Sequence, residues 1–178
     1  LVGGHLAVGS LKKAVSEIEL YTLAGKLVRR IELPGLGTAS NLVGLEDDDE
    51  AYYGYSSFTL PRQVFKTSVK SGKSDLWAKV DVPIDPTPYE VKQVSYPSKD
   101  GTPVTMFVVA RKDVKLDGQN PTLLYGYGGF DISLTSAFTG FIYPWLESGG
   151  VYAVPNLRGG GEYGKSWHDA GKLGKKQN

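Results

Sequence analysis

SEIELYTLAGKLVRRIELP, residues 16–34, has an echo in RQVFKTSVKSGKSDLWAKV, residues 62–80. In each, a Gly-Lys pair (Gly25-Lys26, Gly72-Lys73) interrupts two segments in which side chains alternate. Ile18, Leu20 and Thr22 fall on one side of the first segment, and Val28, Arg30 and Glu32 on one side of the second. Alternation of period two with a glycine at the reversal predicts half-buried antiparallel strands joined by tight turns. The stretches preceding the two units, HLAVG from His5 and AYYGYSSF from Ala51, repeat at a similar distance. Several short strands recurring every 40 to 50 residues or so is the period of propeller blades. Two units leave a β-sandwich with a chance echo as the alternative, and the propeller is the favoured reading. The acidic run LEDDDEAYY (45–53) reads as a solvated loop before the next strand, since nothing else with metal-ligand spacing accompanies it.

Composition narrows the class. The chain has 178 residues, and its 20 basic and 19 acidic side chains leave a net charge of +1, which argues against a charge-driven nucleic-acid binder. Glycine occupies 23 positions, close to twice its usual share of about 7%, which favours strands and turns over long helices. There is no cysteine, so disulfides and thiolate metal sites are excluded and either redox compartment remains possible. The apolar runs are too short to span a bilayer, and LVGGHLAVGS lacks the basic and apolar regions of a signal peptide. It reads as an interior start. A cytoplasmic location is expected, with the periplasm as alternative.

Five of the ten prolines lie between Pro83 and Pro103, which marks a crossing between domains. Beyond it, KQVSYPSKDGTPVTMFVVARK (92–112) predicts two strands around a Lys-Asp-Gly turn, and PTLLYGYGG (121–129) a short strand running into glycines. FIYPWLESGG (141–150) predicts a helix end capped by Gly149, and VYAVPNLRGGG (151–161) an apolar strand ending in a glycine loop. This is the rhythm of an α/β sheet.

Three motifs carry chemistry or imitate it. Gly159, Gly161 and Gly164 satisfy G-x-G-x-x-G, but Glu162 would repel a phosphate and two glycines weaken the segment that follows, so nucleotide binding is rejected. GKSWH (164–168) approaches the G-x-S-x-G nucleophile elbow, yet His168 replaces the last glycine, which that strained turn needs for steric reasons. Taken as residues two apart on a strand, Ser166 and His168 make no dyad, and His168 is expected to be structural, as is His5 in the presumed first strand. Tyr127, held between Gly126 and Gly128 after a strand, can project from a sharp bend. A phenol with a pKa of about 10 stays protonated at neutral pH and can donate to a developing oxyanion. The alternative, a turn aromatic that covers a core, stands level with it on these grounds.

LLYGYGGFDIS (123–133) followed by NLRGGGEYGKSWHDAGKLGKKQN (156–178) resembles the prolyl oligopeptidase family of serine peptidases. The resemblance implies a mixed fold: residues 1–88 as the last blades of a β-propeller, and residues 89–178 as the start of an α/β-hydrolase domain, truncated before the nucleophile. It implies that Tyr127 supplies its hydroxyl to the oxyanion hole and that Phe130 helps line the pocket for a substrate proline. The related branch that cuts after basic residues usually has serine and tyrosine where this chain has Gly129 and Phe130, so proline specificity is favoured. The intact enzyme would hydrolyse short proline-containing peptides through an acyl-enzyme, with the propeller limiting access. Serine, aspartate and histidine of the triad would lie outside this chain, leaving it inert alone. No cofactor, metal, nucleic acid or membrane partner is expected, and the intact protein is expected to be a monomer. The reading from another class is a non-catalytic propeller that binds peptides.

Overall fold

The computed structural model describes residues 1–177. Three sheets account for nearly all of its regular structure. The first has the order β1 (Leu6–Lys12), β2 (Val15–Tyr21), β3 (Leu27–Ile31), all antiparallel. In β2 every second residue is buried, which places Ser16, Ile18 and Leu20 in the core while Glu17 and Glu19 face outward to Arg30. On β3 the expected stripe through Val28 and Arg30 is the exposed one, and the buried residue is Ile31.

The second sheet is built from β4 (Thr38–Ala39), β5 (Val43–Gly44), β6 (Glu50–Ser56), β7 (Gln63–Ser68) and β8 (Ser74–Lys79), with β4 and β5 both pairing β6. The echo in the sequence is an echo in structure. Thr22 and Lys26 close the β2–β3 reversal around Gly25, and Ser68 and Lys73 close the β7–β8 reversal around Gly72; both glycines have positive φ, +80° and +74°. That conformation is nearly free for glycine and costly for other residues. The acidic run leads into β6 as expected, and Asp49 has a structural task there, accepting from the Lys70 N–H and the Ser68 hydroxyl. Val2, Ile18, Leu20, Ile31, Tyr53, Tyr55 and Val69 make one core shared by the first two sheets.

The chain crosses residues 80–88 without regular structure and enters the third sheet, β9 (Tyr89–Pro97), β10 (Pro103–Arg111), β11 (Thr122–Leu124) and β12 (Val151–Pro155). Its spatial order is β11-β12-β10-β9, with β11 and β12 parallel and the other pairs antiparallel. A parallel pair needs a long crossover, and here it carries a 3-10 turn (Gly140–Ile142) running into the helix α1 (Tyr143–Glu147), which Gly149 ends at φ +86°. All five residues of β12 are buried, as their unbroken apolar sequence requires for a strand covered on both faces. A second core of Phe107, Val109, Ile142, Tyr143, Leu146, Tyr152 and Val154 lies beneath α1, and Phe58, from the turn after β6, is inserted into it.

Two expectations need correction. His5 precedes β1 instead of lying in it, forming an isolated bridge with Val2 while its Nδ1 lies 2.7 Å from the Gly3 carbonyl. GKSWH is not a strand: Lys165–Asp169 form the short helix α2, because the left-handed Gly164 at φ +81° reverses the chain just before it. Among the described residues no helix is long and apolar enough to cross a membrane.

Candidate functional site

The bend after β11 is where sequence reasoning placed the chemistry. β11 is the third strand of its sheet, and its ladder continues one residue further through the Tyr125 N–H to the Ala153 carbonyl at 2.9 Å. Immediately afterwards the chain leaves the sheet. Gly128 has φ +61°, and a Cβ there would be driven against Leu157 and the Arg158 carbonyl, so only glycine lets this loop lie so close to the one that follows β12. Phe130 and Asp131 then take φ +53° and +59°. Such left-handed conformations cost side-chain-bearing residues roughly 1–2 kcal/mol each, and they persist only where surrounding structure imposes them.

That structure is identifiable. Residues 128–134 are fastened to the loop after β12 at successive points. The Lys176 ammonium donates to the Gly128 carbonyl and, at 3.2 Å, to that of Arg158. The Asp131 N–H donates to the Gly159 carbonyl at 3.1 Å. Leu134 is held through both of its backbone polar groups: its N–H donates to Glu162 Oε1 at 2.9 Å, and its carbonyl accepts from Asn156 Nδ2 at 2.8 Å. Asn156 is fully buried and also accepts from the Thr105 hydroxyl on β10, whose oxygen lies 2.7 Å from that of Tyr163.

The loop after β12 is itself tied down. The Arg158 guanidinium, 10% exposed, makes a two-pronged pair with Asp100 in the β9–β10 turn at 2.5 and 3.0 Å and also reaches the Ser98 and Thr102 hydroxyls. Hydrogen bonding from Arg158 holds the Asp100 carboxyl well below the usual carboxylate range. A planar fork meeting a carboxylate in this way fixes orientation as well as distance.

Tyr127 and Phe130 emerge together from this braced bend. Their rings lie roughly parallel, 28° apart, with centroids separated by 6.4 Å. Tyr127 is 42% exposed and Phe130 83%. Tyr127 does not cover a core, and its hydroxyl makes no hydrogen bond to any described residue. The phenol is thus available to a ligand. Phe130 offers an uncovered aromatic face beside it.

The remaining candidates separate from the bend. Ser166 is exposed on α2, and His168 turns its Nδ1 to the Gly159 carbonyl at 2.7 Å, so the two form no catalytic pair and the histidine is a loop brace. Glu162, expected to repel phosphate, is 3% exposed and turned inward as the Leu134 acceptor, with Oε2 unpartnered. Sequence reasoning missed Glu162 and Asn156 as parts of the bend's support. The signal available was only their position flanking the glycine run. Among the described residues no group of three or more acidic or histidine side chains is placed to hold a metal ion. The sequence contains no complete G-x-S-x-G.

Residues 1–80 match the family described as prolyl oligopeptidase, N-terminal beta-propeller domain, and residues 136–178 match the prolyl oligopeptidase family. A prolyl endopeptidase of Elizabethkingia miricola is 48% identical over 176 residues, covering 99% of this chain and 25% of that protein. A solved structure from a structural and mechanistic analysis of two prolyl endopeptidases superimposes with a TM-score of 0.88 at 65% identity, over 99% of this chain and 26% of that one. Prolyl oligopeptidase B of Galerina marginata, bound to a 35mer hydrolysis and macrocyclization substrate, superimposes at 0.86 with 31% identity, over 99% and 26% of the two chains. The chain therefore spans about a quarter of the length of the relatives it matches.

Proposed function

Because the chain belongs to the prolyl oligopeptidase family, its blades leading into the opening strands of a hydrolase domain, we propose that it is the oxyanion-bearing part of a serine endopeptidase that cleaves short peptides after proline. In this reading residues 1–88 are the propeller portion and residues 89–178 the hydrolase portion, with the change of unit in the irregular crossing between β8 and β9. The protein is a monomer of the cytoplasm and acts on short proline-containing peptides, not on nucleic acid or membranes. The net charge of +1 supports the part concerning nucleic acid.

The observation that carries the proposal is the partly exposed Tyr127 hydroxyl, without a hydrogen-bond partner among the described residues, on a bend fastened to its neighbours. When a serine supplied by the rest of the protein attacks the scissile carbonyl, negative charge gathers on the carbonyl oxygen. A neutral phenol held in place donates to that oxygen without importing a charge and without reorganising at the moment of reaction. Phe130, stacked beside it, presents an apolar face to the proline ring of the residue on the acyl side. The serine, its histidine and its aspartate come from outside this chain in this mechanism.

The test uses the product of the complete reading frame and two chromogenic peptides that differ only in having proline or arginine before the cleaved bond. Cleavage after proline supports the proposal. Preference for arginine moves the protein to the branch that cuts after basic residues, and binding of proline peptides with no turnover of either makes it a non-catalytic binder.

A further inference from the structure

We propose that Glu162 is a positioning residue that holds the left-handed bend of residues 128–131 in place and thereby presents Tyr127 to the oxyanion. The inference rests on the functional reading above and adds to it a residue that touches no substrate.

Glu162 is 3% exposed, and a buried carboxylate is retained only against a substantial desolvation cost. Its position shows what it does there. Oε1 accepts the Leu134 N–H at 2.9 Å, and the same residue's carbonyl is taken by Asn156. Leu134 therefore ends the bend at a fixed point, just as Lys176 fixes its start at Gly128 and Gly159 its middle at Asp131. Between these points three of four consecutive residues, Gly128, Phe130 and Asp131, have positive φ. The Ile132 N–H donates to the Gly129 carbonyl at 3.0 Å across Phe130 and Asp131, a local turn that suits these angles, so loss of the Glu162 anchor would loosen where this turn sits against the loop after β12 and shift Tyr127 and Phe130 together. The glycines of the loop after β12 are what admit the carboxylate: a Cβ on Gly160 would overlap Glu162 Oε2 and press on the Ile132 carbonyl. The side chain brings an acceptor oxygen to a partly buried backbone N–H.

Glu162→Gln keeps one accepting oxygen at the same reach, whereas Glu162→Ala removes it; should the alanine variant fail to fold, Glu162→Met fills the same space without an acceptor. In the full-length protein two readouts are taken. The first is hydrogen–deuterium exchange of the amides in residues 128–134, expected to speed up in the alanine or methionine variant and to stay at the wild-type rate in the glutamine variant. The second is kcat on a proline peptide, expected to fall roughly 10- to 100-fold with KM little changed, to recover in Glu162→Gln, and to show no further fall when Glu162→Ala is added to Tyr127→Phe. Unchanged exchange in Glu162→Ala or Glu162→Met overturns the proposal. So does an equal fall in kcat with and without the Tyr127 hydroxyl, since that is the mark of general loosening. If the wild-type protein cleaves no proline peptide, the functional reading fails, while the exchange rates still decide whether Glu162 holds the bend.

Discussion

Phe58, from the turn after β6, sets its ring edge-on to Phe107 of β10, with centroids 5.5 Å apart and planes inclined at 66°. The same ring meets Tyr152 of β12 at 5.8 Å and 83°. One side chain from the blade sheet is thus built into the hydrolase core, where it is 5% exposed. Phe58→Ala should destabilise the protein by about 3–5 kcal/mol, the usual loss for emptying a buried phenylalanine site. The midpoint of urea unfolding followed by tryptophan fluorescence measures it. A change below about 1 kcal/mol would show that the two units do not share this core in solution.

Tyr127→Phe deletes one oxygen from a ring whose hydroxyl has no hydrogen-bond partner among the described residues. Stability should therefore be unaltered, while kcat on a proline peptide falls by roughly 10² to 10³, the effect of losing one oxyanion donor. Steady-state kinetics beside a thermal melt separates the two. An unchanged kcat assigns Tyr127 a structural role.

Phe130→Ala removes an aromatic face that is already exposed, so folding should tolerate it. Specificity should not. The ratio of kcat/KM for proline against alanine before the cleaved bond is expected to drop by roughly 10- to 200-fold, the range that apolar pocket contacts command. A ratio that stays put would place the proline contact on other residues.

Acid should loosen the support of the bend through Asp100. The hydrogen bonds from Arg158 depress the folded-state pKa of this carboxyl below its unfolded value, so the stabilisation is complete above the unfolded pKa of about 4 and is lost as pH falls below it toward the folded value. Asp100→Asn should be less stable than wild type at pH 7, and the gap between the two should close as pH is lowered from about 4 downward. Urea midpoints for both proteins across that range provide the check. A gap independent of pH would mean that the pairing with Arg158 does not depend on charge.

Much of the blade architecture can be read in the sequence because its determinants are local. Gly25 and Gly72 mark reversals that a tight turn requires, and the alternation from Ser16 to Tyr21 states which face of β2 is buried. Lys-Asp-Gly before Thr102 and Gly149 after α1 are legible for the same reason. Long-range choices are not local. Alternation alone leaves open which side of β3 is buried, and the structure exposes Val28 and Arg30 and buries Ile31. Nothing near Phe58 in sequence announces that its ring belongs to another unit. Tyr127 is conspicuous because glycines flank it, whereas the positive angles at Phe130 and Asp131, the centre of a turn closed by the Ile132 N–H on the Gly129 carbonyl, fall on residues that do not announce such a turn, and the turn is fastened by contacts more than twenty-five residues away at Gly159 and Glu162. Glu162 reads from sequence as a charge that spoils a phosphate loop, and its inward orientation is a property of the assembled loops alone.

Ser136 joins these themes. It is fully buried two residues past Leu134, its carbonyl accepts from the Thr38 hydroxyl at 2.8 Å, and its own hydroxyl accepts from the Phe58 N–H at 3.0 Å. The segment that carries the phenol is therefore moored at one end to the glycine loop of its own sheet and at the other to the neighbouring blade. A rotation that opens a gap between blade and hydrolase must either cut both tethers at this serine or drag the segment along. In the second case, the geometry around the reacting carbonyl would respond to how the two bodies lean against each other.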